Sequence, residues 1–198
     1  MLGMSSSNKL VNRFHTAVRQ QDCGAVRTVL TEATKSKKKR IIDSVGDDGQ
    51  TALNVACSIG SMELAGMLID HGASVNTVDK SGWTALLYAS SNQNLHLCEL
   101  LIRAGADVNI VSKSKSTVLH ILSKIRSIPN VPQYLRILKA LKDRGAALDV
   151  FNENSESPLH LSVLRDNRAC VQFLISSGAD LNIRNKFFLL LSFVAMKT

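Results

Sequence analysis

Thr84-Ala85-Leu86 through Gly105-Ala106-Asp107-Val108-Asn109 is the stretch that decides how this chain folds. Its opening triplet occurs 33 residues earlier as Thr51-Ala52-Leu53 and 33 later as Thr117-Val118-Leu119. A fourth copy, Ser157-Pro158-Leu159-His160, follows after 40 more. The closing segment keeps the same beat. Gly72-Ala73-Ser74-Val75-Asn76 precedes it, and Gly145-Ala146-Ala147-Leu148-Asp149 and Gly178-Ala179-Asp180-Leu181-Asn182 follow at steps of 40 and 33. Two independent markers that slip by the same seven residues in the third copy define a repeat with one insertion.

The unit reads as two helices and an extended turn. Thr51 stands as the cap of a short helix with Leu53, Val55 and Ala56 facing inward. Gly60-Ser61 breaks it. Leu64, Ala65, Leu68 and Ile69 then make an apolar stripe of helical period, and Gly72 stops the second helix as a left-handed residue does. Val75 to Gly82 turns the chain into the next copy. Two such short helices cannot bury both apolar faces alone, so the units must stack.

This pattern resembles the ankyrin repeat, whose unit is a helix–turn–helix–hairpin with a T-P-L-H core and a G-A-D-V-N ending. Pro158 keeps the proline of that core, where Ala52, Ala85 and Val118 replace it; His120 and His160 keep the histidine. The resemblance covers residues 48–186 as four repeats, at 48–80, 81–113, 114–152 and 153–186. It implies an all-α ankyrin-repeat solenoid of helix-turn-helix units joined by β-hairpin-like loops. Residues 8–47 read as a degenerate N-terminal capping repeat. There Phe14 to Ala17 align with Leu53 to Ala56, and Ile41-Ile42-Asp43 with Ser74-Val75-Asn76, after an insertion holding a basic run. Residues 1–7 are expected to be a flexible N-terminus.

Three segments depart from the pattern. Lys35, Lys37, Lys38, Lys39 and Arg40 form the basic run, readable as an import signal, a contact for an acidic partner, or a solvated loop. Residues 126–132 carry the insertion of the third copy, where Pro129 and Pro132 are expected to stop the first helix and stiffen a loop, with Ile128 and Val131 tucked onto the core. Residues 187–198 form an apolar tail whose run of ten is too short to span a membrane. It reads as an improvised cap on a chain whose longer form continues the array.

Composition narrows the function. The net charge is +8, of which residues 1–47 supply five, with 9 Lys/Arg against 4 Asp/Glu; residues 48–198 hold 15 against 12. Placed this way, the excess points to acidic partners near the N-terminus and not to nucleic acid. Cys23, Cys57, Cys98 and Cys170 form no CxxC pair and have no histidine at metal-ligand spacing, so they read as reduced thiols, with no metal and no cofactor expected. The first ten residues lack an apolar stretch, which points to the cytoplasm or nucleus. No carboxylate pair, phosphate loop, zincin helix or nucleophile elbow occurs, so an enzyme is not expected.

What remains is binding. The resemblance implies that a partner protein touches the hairpin tips and the inner-helix face. On matching positions that face comprises Lys80, Ser81 and Trp83, then Lys113, Lys115 and Lys124, then Glu153 and Glu156, with Tyr88 and Asn92 on the adjoining helix. Trp83 is the expected anchor. The resemblance also implies that hairpin asparagines can be substrates of an oxygen-dependent asparaginyl hydroxylase, the alternative being an asparagine that only shapes the turn. Asn109, with Asp107, Val108 and Leu101 before it, fits that pattern, and Asn182 fits it less closely. The leading expectation is a non-catalytic interaction scaffold or adaptor, with no small-molecule substrate and no transmembrane span. The alternatives are the targeting module of a larger signalling enzyme or regulator, and a nuclear regulator that masks a transcription factor.

Overall fold

The computed structural model describes residues 6–46 and 48–184, so the apolar tail at 187–198 lies outside the described residues. The first unit contains α1 (Ser6–Arg19), α2 (Cys23–Glu32) and α3 (Lys35–Ile42). Four helix pairs follow: α4 (Ala52–Ser58) with α5 (Met62–Asp70), α6 (Ala85–Ser91) with α7 (Leu95–Arg103), α8 (Val118–Ser123) with α9 (Val131–Asp143), and α10 (Pro158–Leu164) with α11 (Arg168–Ser176). Among the described residues these eleven helices are joined by turns and no sheet forms.

Local chemistry starts and stops each helix. The Thr51 hydroxyl accepts the Asn54 N–H (3.2 Å), and Thr84 does the same for Leu87 (3.3 Å). Second helices are capped by Ser61, Asn94, Asn130 and Asn167. Gly72 leaves α5 at φ +83, the left-handed geometry that ends a helix.

The helices stack as two layers. In one, α1, α4, α6, α8 and α10 pack in succession; in the other, α5, α7, α9 and α11 do so. Between them runs one continuous core, in which Leu53, Leu64, Leu68, Leu86, Leu97, Leu101 and Leu119 are all fully buried. Each such leucine contributes about 1.5–3 kcal/mol of burial, and each is shared between neighbouring units, so the array holds together as a whole.

A polar ladder fixes the spacing of units at the far end of each pair. Asp43 accepts the Ser74 N–H (2.8 Å), Asn76 accepts that of Asp107 (2.8 Å), Asn109 that of Ala147 (3.0 Å) and Asp149 that of Asp180 (3.0 Å). Asp43 thus occupies the place its alignment with Asn76 gave it. Its two preceding residues do not form a hairpin arm, because Ile41 and Ile42 are the buried end of α3.

That helix corrects the reading of the basic run as an insertion loop. Lys35 to Arg40 are helical. The Lys39 ammonium lies 2.8 Å from Asp43 and donates to the Gly72 carbonyl (2.7 Å), so it fastens the first unit to the second. Burial pushes the Asp43 carboxyl up, but Lys39 and the two hydrogen bonds from Ser74 outweigh it and hold the group below its usual value. At the N-terminus α1 already begins at Ser6, inside the segment expected to be flexible.

The third unit spends its seven extra residues in two places. Against α4–α5, the connection is four residues longer, the second helix is four longer and the first helix is one shorter. Pro132 therefore does not break structure. It occupies the first turn of α9, behind the Asn130 cap, where its missing N–H costs nothing. Ile128 packs on the core as expected, whereas Val131 remains 41% exposed.

Candidate binding face

Three of the hairpins are each built around one polar side chain that opens the turn. Asp79 accepts the N–H groups of Ser81 and Trp83 (both 2.8 Å), and Asn152 accepts those of Asn154 and Glu156 (2.9 and 3.0 Å). Ser112 makes a longer bond to Ser116 (3.3 Å). Neighbouring tips are then tied backbone to backbone: Lys80 N–H to Asp48 O, Lys113 N–H to Ser81 O, and Glu153 N–H to Ser114 O, at 3.3, 2.9 and 3.0 Å. The tips form one ridge. Lys80, Ser81, Lys113, Lys115 and Glu153 are exposed along it, while Glu156 is half-buried and accepts a hydrogen bond from Asn152.

Behind the tips, several named side chains prove to be committed within the fold. Trp83 is half-buried and its ring centroid lies 5.0 Å from that of Tyr88. The Tyr88 hydroxyl donates to the Asp79 carboxylate and accepts from the Gln50 amide (2.7 Å), so it links two units. Burial and the neighbouring Asp79 carboxylate push that phenol up to about 12. Asn92 donates to the Cys57 and Ser58 carbonyls (3.2 and 2.6 Å), closing the end of α4 in the preceding unit. Tyr88 and Asn92 thus brace the face on which Trp83 and the exposed tips are presented. Lys124 is exposed at the end of α8.

His120 bridges the third hairpin to the fourth. Its Nδ1 accepts the Thr117 N–H (3.1 Å), and its Nε2 meets the Glu156 carbonyl (3.1 Å). A carbonyl can only accept, so Nε2 carries the proton and the ring is neutral. Burial lowers its pKa, and Lys124 lowers it further. His160 repeats the Nδ1 contact with Ser157 (3.3 Å). Asn109 and Asn182 lie at the opposite edge. The Asn109 amide donates to Gly145 O (2.9 Å) while its oxygen serves the ladder, and Asn182 N–H donates to Asp180 (2.8 Å). Cys57, Cys98 and Cys170 are buried, and burial pushes the Cys57 thiol up to about 12 and Cys98 up to about 11.

Two features of the face escaped the sequence reading. The first is a row of apolar side chains one position before each turn-opening residue. Val45, Val78, Val111 and Phe151 recur on the 33–33–40 beat, and each is between 42% and 54% exposed. Their common register was the available signal; their exposure was not legible until the hairpins were placed. The second is charge. Residues 113–144 hold eight Lys/Arg and one acid, Asp143, leaving seven Lys/Arg and eleven acids for the rest of 48–198. Averaging the repeat region as a whole concealed this stretch, at +7, set in a remainder of −4. Beside the +5 of residues 1–47, residues 113–144 are thus a second seat of basic charge.

Comparison with known proteins agrees with this architecture. The family model for ankyrin repeats (three copies) matches residues 14–112 and 92–185. The chain belongs to the ankyrin-repeat family, whose members are protein-interaction modules. Part of it is also similar to the E3 ubiquitin-protein ligase KEG of Arabidopsis thaliana, with 34% identity over 73 residues, covering 34% of this chain and 4% of that protein. The chain thus matches only a small fraction of that relative's length. Among the described residues, no helix is long and apolar enough to cross a membrane.

Proposed function

We propose that this protein works as a scaffold or adaptor that grips a partner protein along its hairpin ridge and the adjoining inner helices. One observation carries the reading: the row Val45, Val78, Val111 and Phe151 stays about half exposed at the same register position of four successive hairpins. Isolated exposed apolar residues are ordinary, whereas an aligned series beside a rigid ridge marks a docking surface. Trp83 stands at the back of that surface as its aromatic anchor, and the tip charges set orientation and encounter rate more than affinity.

Crosslinking in cells followed by mass spectrometry identifies the partner. Replacing Val78, Val111 and Phe151 together with serine is expected to abolish its recovery while leaving the helical circular dichroism unchanged. Undiminished recovery would remove the ridge from the mechanism. The similarity to a segment of a ubiquitin ligase supports a second reading, in which the array is the targeting arm of a larger signalling enzyme. An antibody raised against residues 48–184 should then detect a longer product in cell extracts.

A further inference from the structure

The third unit gathers charge around a cleft. A cavity of about 320 Å³ opens between the second and third hairpins, with Trp83, Ile121 and Ile125 as its apolar walls, Ser114 on one side, and Lys124 and Arg126 at its mouth. Lys113 and Lys115 stand on the adjacent tip. These four cations are exposed, and none enters an ion pair among the described residues. The fold therefore gives them no acidic partner of its own, while Trp83 supplies an aromatic surface at the back of the same cleft.

We infer that this cleft takes a short acidic peptide segment of the partner, one carrying a large apolar side chain that enters against Trp83, Ile121 and Ile125 while flanking Asp or Glu carboxylates meet Lys124, Arg126, Lys113 and Lys115. The inference rests on the protein-binding reading above and specifies the chemistry of what is bound. Charge complementarity selects an acidic ligand. The border of the patch selects a short one: Glu153 and Glu156 stand on the fourth hairpin, whose tip is bonded to the one carrying Lys113 and Lys115. A nucleic-acid strand carries a phosphate at every step and would have to cross those carboxylates. It would also need successive aromatic platforms, whereas Trp83 is the chain's only tryptophan and is already packed on Tyr88. A bilayer cannot enter a cleft bounded by two hairpins.

The single tryptophan makes the site directly observable. Random dodecapeptides displayed on phage are panned against the full chain, and enriched peptides are synthesised and titrated while Trp83 emission is followed. The expected peptides carry net negative charge and one large apolar residue. They shift the emission saturably, and they bind more weakly as salt rises. Lys124→Glu with Arg126→Glu should weaken binding at least tenfold, or about 1.4 kcal/mol. Arg136→Glu with Lys139→Glu, the same charge change on the outer face of α9, should leave it unchanged. Enriched peptides that are neutral or basic, no enrichment at all, or equal losses in the two double variants would each overturn the inference. So would a response to oligothymidine or phosphatidylserine vesicles in place of peptides. Loss of the crosslinked partner on serine substitution of the valine–phenylalanine row, together with any of those results, would leave the ridge reading standing and remove only the acidic segment.

Discussion

Lys115 holds a φ of +55 where the two preceding hairpins place Gly49 and Gly82. A side chain in that region costs energy that glycine avoids, partly offset by the lower entropy of the unfolded lysine. Lys115→Gly is therefore expected to change stability by roughly 0–1 kcal/mol in the favourable direction. Gly82→Ala should destabilise by more than about 1 kcal/mol, since its Cβ would sit 3.0 Å from the Lys113 nitrogen in a strained φ of +75. Urea midpoints of the two variants check both signs. A second residue of consequence is Tyr134, fully buried on α9. Its hydroxyl donates to Leu122 O (3.0 Å) and accepts from Asn167 (3.0 Å), tying the lengthened helix to α8 of its own unit and to the cap of α11 in the next. Burial pushes that phenol far above its ordinary value, so it stays protonated. Tyr134→Phe keeps the ring but removes both bonds; Asn167 still donates to Leu122 O (3.3 Å), so a loss of about 0.5–1.5 kcal/mol is expected by urea denaturation.

At the level of elements, the α8 hairpin contact is sensitive to acid. His120 is neutral in the fold because Nδ1 must accept from Thr117 while Nε2 donates to Glu156 O. Its folded pKa is lowered, by burial first and Lys124 next, with Glu156 opposing. In the unfolded chain the ring titrates near about 6.5. The folded state therefore binds fewer protons below that pH, and the stabilisation present above it is lost as pH falls through the folded pKa. Unfolding free energy should decline between neutral pH and mildly acidic pH, and His120→Gln should reduce that decline. An identical pH slope in the variant would show that the ring does not govern it. The same scale explains the misread insertion. Proline signals a stop when its N–H is needed, but two residues behind the Asn130 cap Pro132 sits in the first turn of a helix.

For the whole molecule, stability is a property of shared interfaces. Leu86 on α6 is fully buried in a layer where α6 meets α4 on one side and α8 on the other. Leu86→Ala is expected to cost about 2–5 kcal/mol, visible as a lower urea midpoint. An unchanged midpoint would contradict its place in the common core. A stack of similar units also makes the ridge long and rigid, because each tip is bonded to the next through the backbone. Rigidity of that kind favours binding by reducing the entropy lost on contact.

The repeat beat, its seven-residue slip, the helix pairs and the buried leucines were all present in the order of residues, because stacking demands apolar side chains at fixed spacing and caps at fixed places. Trp83 and the tip lysines were also legible, since hairpin positions follow from the same register. Tertiary packing alone decided the rest. It turned the basic run into a helix fastened by Lys39, made Tyr88 and Asn92 braces between units, and left Val78, Val111 and Phe151 half exposed. Those outcomes depend on which neighbour lies across a gap of some thirty residues, and a local pattern carries no information about that distance until the units are stacked.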